Sequence, residues 1–144
     1  MVRLFILLFS LSVTSLYAQN PNNSSSDKHT VVRNYSDDGA LTSVINYVNG
    51  NPYGKYEYFY ADGTLMEEGI WHINHQVGEL KRYDEEGNIS QLFNFDNSGN
   101  RYGEQIYYYP SGAVKARKYI NNNDATSEIS RYSDNGEIES LSTL

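Results

Sequence analysis

Short apolar and aromatic runs alternate with polar turns along most of the chain. Within one run, Ile89, Phe93 and Phe95 occupy positions of one parity, as expected when alternate side chains point to opposite faces of a strand. No segment keeps a helical periodicity for more than one or two turns. The pattern therefore predicts an all-β fold built from short strands.

A polar turn that ends in glycine recurs at a nearly constant spacing. These glycines are separated by 24, 24, 25 and 24 residues, with an aromatic residue four positions before each and an aliphatic residue two positions after: Gly39, Gly63, Gly87, Gly112 and Gly136. A second marker keeps the same period, with serine in the fourth place: Gly54, Gly78, Gly103 and Ser127. This register predicts tandem β-hairpin repeats of about 24 residues.

Each period holds two turn signals and two strand-like runs, so each repeat is predicted to form one β-hairpin. The predicted outgoing strands are residues 41–48, 65–73, 89–95 and 114–120. The predicted returning strands are residues 54–60, 78–83, 103–109 and 127–132, with half-repeats at 31–35 and 138–141. Because a lone hairpin buries too little to be stable, the repeats are expected to stack into an elongated antiparallel meander. The pattern leaves open whether this sheet stays flat, curls or closes.

The N-terminus has the features of a secretory signal peptide. Arg3 precedes an unbroken apolar stretch at 4–9, and small or polar residues lead to Ala18. The apolar stretch is too short for the roughly 20 residues that cross a bilayer. We therefore expect a signal peptide at 1–18, a flexible polar lead at 19–30 and a repeat array at 31–144. The protein is expected to be secreted or periplasmic, with no membrane span in the mature chain.

Composition narrows the classes of function. Eleven Lys and Arg stand against eighteen Asp and Glu, which gives a net charge of −7 and argues against a nucleic-acid groove. Cysteine is absent, so disulfides and thiol chemistry are excluded. Fourteen tyrosines against three prolines suit strands, and stacked aromatic side chains stabilise neighbouring strands.

Three groups of residues are candidates for chemical sites. His72 and His75 are three positions apart. On one strand, side chains with this spacing point to opposite faces, so the two histidines would not bind the same metal ion. Residues 94–99 resemble the start of a calcium loop, but Gln105 stands where a bidentate glutamate is required. A lengthened polar turn is the simpler interpretation, and weak calcium binding at 94–105 stays open.

The third group is the carboxylate clusters at 67–68 and 84–86, which lie at or near recurring turns where acidic residues are ordinary solvated groups. No nucleophile and base arrangement is evident, so the protein is not expected to be an enzyme. We predict no catalytic residue, no metal site and no cofactor.

The tyrosine-rich runs are the best candidate for a binding surface. Tyr58, Trp71 and Tyr107 are predicted to form part of an aromatic stripe on one face of the sheet. The stripe has two interpretations: cross-strand stacking within the sheet, or a ladder that binds a partner chain or a sugar.

The segment NGNPYGKYEYFYADGTLMEEGIW at 49–71 closely resembles a MORN-type repeat. The full period is most similar to the bacterial MORN-repeat-variant group, often labelled the YwqK family of antitoxins. The resemblance covers roughly residues 31–141 and implies an elongated hairpin array that binds without catalysis. MORN repeats are also linked to membrane lipids, but the negative charge of this chain argues against an anionic bilayer.

Two functions follow as expectations. The first is a non-catalytic protein-binding module, with an antitoxin-like or immunity-like role against another protein of the envelope. The second is binding of cell-wall glycan, for which the chain offers a single tryptophan. The identity of the partner, the choice between periplasm and medium, and the oligomeric state are not determined by the sequence.

Overall fold

The computed structural model describes residues 27–121 and 127–143. The predicted signal peptide, most of the predicted polar lead and residues 122–126 lie outside the described residues. Residues 27–121 and 127–143 contain no helix that could cross a membrane.

In this described part of the chain, ten antiparallel strands form one sheet in which every strand pairs with its neighbours in sequence. Each strand contacts only those neighbours, so the described sheet is open and one layer thick. At about 4.8 Å per strand, its width is roughly 45 Å. The predicted all-β array of tandem hairpins is confirmed. The strands are β1 (His29–Tyr35), β2 (Leu41–Val48), β3 (Asn51–Phe59), β4 (Leu65–His72), β5 (His75–Tyr83), β6 (Ile89–Phe95), β7 (Gly103–Tyr108), β8 (Val114–Ile120), β9 (Ser127–Tyr132) and β10 (Ile138–Thr143).

The first glycine marker closes one end of each hairpin. At the turn before β4, Gly63 has φ +90° and its N–H donates to the carbonyl of Tyr60 over 3.0 Å. The carboxylate of Asp62 accepts a hydrogen bond from the N–H of Thr64 at 2.8 Å, which fixes the turn further. A one-residue register shift follows, and it leaves Met66 as an extra residue beside the ladder.

At Gly54 and Gly78 the second glycine marker lies inside the returning strand instead of at its start, whereas Gly103 begins β7 as predicted. β3 begins at Asn51 and β5 at His75, each three residues earlier than predicted. Gly54 and Gly78 have positive φ and occupy register shifts in which the returning strand holds two more residues than its neighbour. These glycines therefore mark bulges, which bend the strand and increase its twist.

The array also starts slightly earlier than predicted. β1 begins at His29, which pairs with Val48, so residues 29 and 30 belong to the sheet and not to the polar lead. Lys28 and Asp27 are tied to the same hairpin by hydrogen bonds to the side chain of Asn49.

One face of the sheet, which we call the core face, carries most of the buried side chains. Tyr56, Leu80, Phe93 and Gln105 are each 0–2 % exposed, although the described part of the chain forms no second layer of strands over them. Neighbouring side chains on the same face provide the cover: the guanidinium carbon of Arg101 lies 4.0 Å from the ring centroid of Phe93. Aromatic and arginine side chains thus replace a second sheet.

The opposite face, which we call the ionic face, carries paired charges. Lys55 contacts Glu57 at 2.8 Å and Glu68 at 3.1 Å, and Lys81 contacts Glu79 at 2.9 Å. The hydrogen bonds of Lys55 to Glu57 and, second, to Glu68 favour its charged form and raise the pKa of Lys55.

Candidate functional site

A continuous row of side chains crosses the core face from β2 to β9. Each member is the register partner of the next, and register partners point to the same face of a sheet. We call it the cross-strand row: Ser43, Tyr58, Glu67, Arg82, Gln91, Tyr107, Ala116 and Arg131.

Hydrogen bonds centred on Glu67 join three members of the row, Glu67, Arg82 and Gln91, to two neighbours, Tyr56 and Gln76. Its carboxylate accepts from the hydroxyl of Tyr56 at 2.8 Å and from Nε of Arg82 at 2.6 Å. Arg82 also donates to the side-chain oxygen of Gln91 at 3.2 Å, and Gln76 donates to the Tyr56 hydroxyl. The network links four consecutive strands, β3 to β6, through side chains alone.

Burial and the carboxylate of Glu67 raise the pKa of Tyr56, which belongs to this network, and of its neighbour Tyr58. Burial, and secondarily the hydrogen bond to Glu67, raise the pKa of Tyr56 far above its ordinary value. Burial also raises the pKa of Tyr58. Both phenols therefore remain neutral hydrogen-bonding groups at physiological pH, and neither is poised to act as a base.

The structure brings Tyr58 and Trp71 together but keeps Tyr107 apart. The ring of Tyr56 contacts the ring of Tyr58 at 5.2 Å and that of Trp71 at 5.5 Å between centroids. Tyr107 contacts Phe93 at 5.4 Å, four strands away from Tyr58 along the cross-strand row. All three predicted binding residues lie on the core face and are partly exposed, so each can both stack and contact a ligand.

Two open grooves flank the row, each with a volume of about 400 Å³. Ser90 and Gln91 line both grooves, so the two grooves are adjacent on the core face, and we call the pair the trough. The β4–β6 groove is lined by Tyr60, Met66, Glu67, Arg82, Tyr83, Ser90 and Gln91. The β6–β10 groove is lined by Ser90, Gln91, Tyr107, Tyr108, Tyr109, Lys115, Ala116, Arg131, Tyr132 and Glu139.

His72 and His75 do not share a strand, so the prediction that they point to opposite faces of one strand is wrong. A two-residue turn at Ile73–Asn74 separates β4 from β5, and the two histidines are register partners with ring centroids 5.4 Å apart. Both ring nitrogens of His75 lie 3.1 Å from carbonyl oxygens, those of Ile73 and Asn97. Among the described residues, no group of three or more His, Cys, Asp or Glu side chains is arranged to hold a metal ion.

Residues 94–99 contain the predicted lengthened turn. The N–H of Gly99 donates to the carbonyl of Asp96 at 3.1 Å, in the pattern that the other glycine turns use. The Asp96 carboxylate accepts from the N–H groups of Ser98 and Asn100, both at 2.9 Å. Gln105, at the last position of the calcium-loop pattern, is buried and donates to the carbonyls of Asn94 and Tyr102.

Sequence reasoning missed the polar members of the row. Glu67 was interpreted as a solvated residue near a turn, but its carboxylate bridges Tyr56 and Arg82. A period of two repeats was the available signal, because Tyr58 and Tyr107 are 49 residues apart, as are Arg82 and Arg131. Only the register shows that these four residues lie on one row.

An open sheet of stacked hairpins with one row of aromatic and charged side chains defines a β-hairpin repeat protein. Three tandem segments match the family described as MORN repeat variant: residues 52–72, 76–97 and 101–122. These segments correspond to β3–β4, β5–β6 and β7–β8, so each match is one hairpin closed by a glycine turn. The MORN-variant resemblance is confirmed for these three repeats.

No curated protein matches the chain. Among solved structures, the chain is similar to a chain of the Glycosylation Associate Protein (Gap123) complex from Streptococcus agalactiae, at 25% identity and a TM-score of 0.41. The similarity covers 69% of this chain and 18% of that chain, so this protein spans less than a fifth of the relative's length.

Proposed function

We propose that the protein is a non-catalytic binding module that holds an extended segment of a partner protein in the trough of its core face. The observation that carries this proposal is the continuity of the cross-strand row with two grooves that share Ser90 and Gln91. Tyrosine and arginine side chains line both grooves of the trough, and these residue types are enriched in protein-binding surfaces. MORN-variant repeats in three tandem segments support a binding role.

The finer proposal is that the module acts outside the cytoplasm as an antitoxin-like or immunity-like neutraliser of an envelope protein. It rests on the signal-peptide features of residues 1–18 and on the absence of any nucleophile and base arrangement in the sequence. A module that occludes its partner needs a broad surface and no reactive group, and the row supplies such a surface.

The experiment is capture from two separate preparations: an envelope protein extract and protein-free cell-wall sacculi. Three forms are compared: the wild type, the Tyr58→Ala/Tyr107→Ala variant, and the control variant Tyr53→Ala/Tyr119→Ala. Tyr53 and Tyr119 are 43% and 55% exposed and lie on the ionic face. The control variant therefore also loses two tyrosine rings but leaves the cross-strand row intact.

The proposal expects one protein to be captured in near-stoichiometric amount by the wild type and the control variant but not by the row variant. Pelleting with sacculi without a captured protein would instead assign the row to cell-wall glycan. Equal capture by the row variant would exclude the cross-strand row as the binding surface.

A further inference from the structure

The two grooves of the core face are copies of one another, 49 residues apart. Arg82 corresponds to Arg131, Tyr60 to Tyr109 and Tyr83 to Tyr132. In both copies the tyrosine that begins the turn donates to the carbonyl of the tyrosine one repeat later, Tyr60 to Tyr83 at 2.8 Å and Tyr109 to Tyr132 at 2.9 Å. The backbone frame of the groove is thus repeated, and differences between the copies lie in the side chains.

The decisive difference is the residue between the tyrosine and the arginine of the row. In the first copy Glu67 lies between Tyr58 and Arg82, and it forms an ion pair with Arg82 at 2.6 Å. In the second copy Ala116 takes the place of Glu67, between Tyr107 and Arg131. A methyl group thus occupies the position from which a carboxylate meets the arginine in the first copy.

The second copy has gained a cation as well as lost an anion. Lys115 takes the place of Met66, and its ammonium nitrogen lies 5.4 Å from the ring centroid of Tyr109. Among the residues that the structure describes, no carboxylate lies within ion-pair distance of Arg131 or Lys115. Glu139 also lines the groove, so the local balance is two cations to one anion.

We propose that the β6–β10 groove binds a carboxylate side chain of an acidic, extended peptide segment, received by Arg131 above Ala116. This inference rests on the proposed function and names the partner's chemistry at that site. The first copy shows the proposed geometry within the chain itself: Glu67 projects from the extended strand β4 and contacts Arg82. The partner's carboxylate is proposed to contact Arg131 in the same way. A planar guanidinium recognises a carboxylate through parallel hydrogen bonds, which favours an acidic residue over a neutral amide.

The test is an NMR titration of the full chain that follows the Nε–H signals of Arg131 and Arg82. The probes are two capped six-residue peptides, one alternating threonine with glutamate and one alternating threonine with glutamine, at equal ionic strength. Alternation places the glutamates on one face of an extended peptide. We expect the glutamate peptide to shift the Arg131 signal saturably, the glutamine peptide not to, and the Arg82 signal to stay unchanged because Glu67 already occupies it.

Two substitutions sharpen the test. Ala116→Glu supplies the missing internal carboxylate and should weaken binding of the glutamate peptide about tenfold or more, as expected for loss of a charge-assisted contact. Glu67→Ala removes the internal carboxylate of the first copy and should make the Arg82 signal respond as well, adding a second binding equivalent. Ala116→Glu keeps the test decisive if Glu67→Ala fails to fold.

The outcomes separate the two proposals. If both peptides shift the signals of Tyr58 and Tyr107 equally while Arg131 is unaffected, the carboxylate inference fails and the binding row stands. If Ala116→Glu binds the glutamate peptide as well as the wild type does, the inference also fails. If neither peptide produces a saturable change at millimolar concentration, the carboxylate inference is overturned, and capture alone decides the proposed function.

Discussion

The phenol ring of Tyr56 lies directly against the backbone of Gly69. Tyr56 is 0% exposed, and a Cβ atom built on Gly69 would approach the ring carbon Cε1 and the hydroxyl of Tyr56 to 2.9 Å. Gly69 does not have positive φ, so the requirement for glycine here comes from packing and not from backbone conformation. The pair anchors the network that holds Glu67 on the cross-strand row.

Replacing Gly69 by alanine tests this contact. We expect Gly69→Ala to lower the free energy of unfolding by about 1–3 kcal/mol, because the ring of Tyr56 must move out of a closely packed position. Urea unfolding of the single variants and of the double variant with Tyr56→Leu measures the coupling. If Gly69→Ala lowers the free energy of unfolding equally in the wild type and in Tyr56→Leu, the contact with Tyr56 is not the cause of the destabilisation.

Removing the Tyr56 hydroxyl tests the side-chain network. Tyr56→Phe takes away the donor to Glu67 and the acceptor for Gln76, and it should destabilise the protein by about 1 kcal/mol. Tyr119→Phe is the matched control, because Tyr119 is 55% exposed on the ionic face and should be close to neutral. The urea midpoint of each variant is compared with that of the wild type. Equal midpoints for Tyr56→Phe and Tyr119→Phe would contradict a structural role for the network.

The turn at Ile73–Asn74 is strained and can be repaired. Ile73 has φ +45° and Asn74 φ +67°, whereas the corresponding turn one repeat earlier is Asn49–Gly50. A β-branched residue at positive φ is unfavourable, and Asn-Gly is the preferred pair for a two-residue hairpin turn. Ile73→Asn with Asn74→Gly should therefore stabilise the protein by about 1 kcal/mol, measured as a higher melting temperature. A lower melting temperature would show that Ile73, which is 51% exposed, contributes more through its contacts than it costs in strain.

Glu68 makes stability depend on pH on the acidic side. The Tyr83 hydroxyl, which donates to Glu68 at 2.8 Å, and Lys55 hold the pKa of Glu68 below its ordinary value of 4.5. Because the folded-state pKa is depressed, this contribution is complete above pH 4.5 and is lost as pH falls through the folded-state value. The free energy of unfolding of Glu68→Gln should therefore fall less steeply with acidification than that of the wild type. Parallel pH profiles from urea unfolding would contradict this assignment.

The strand pattern was readable from the sequence because its turns carry their own signal. Gly63 and its equivalents need positive φ, and their constant spacing located the strands to within three residues. Gly54 and Gly78 were harder to interpret, since glycine serves a bulge inside a strand as readily as a turn. The Ile73–Asn74 turn carries no glycine, and for that reason the prediction left His75 between strands 65–73 and 78–83 and did not pair it with His72.

The candidate site was only partly predictable, because a row across strands depends on register. Tyr58 and Tyr107 were identified as aromatic candidates, and the register places them on one row. Trp71 lies on the same face but contacts Tyr56 instead of joining the row. The role of Arg131 emerges only when Ala116 and Glu67 are recognised as equivalent positions, which requires both the two-repeat period and the pairing of the strands.

The most direct test of the account is the dissociation constant of the captured partner for three forms of the protein, measured by titration calorimetry. We expect Tyr58→Ala/Tyr107→Ala to weaken binding about a hundredfold, because two aromatic side chains at the centre of an interface carry much of its energy. We expect Tyr53→Ala/Tyr119→Ala, on the ionic face, to change the dissociation constant less than about twofold. An unchanged constant for the first variant, or a larger loss for the second, would contradict the claim that the core face is the binding surface.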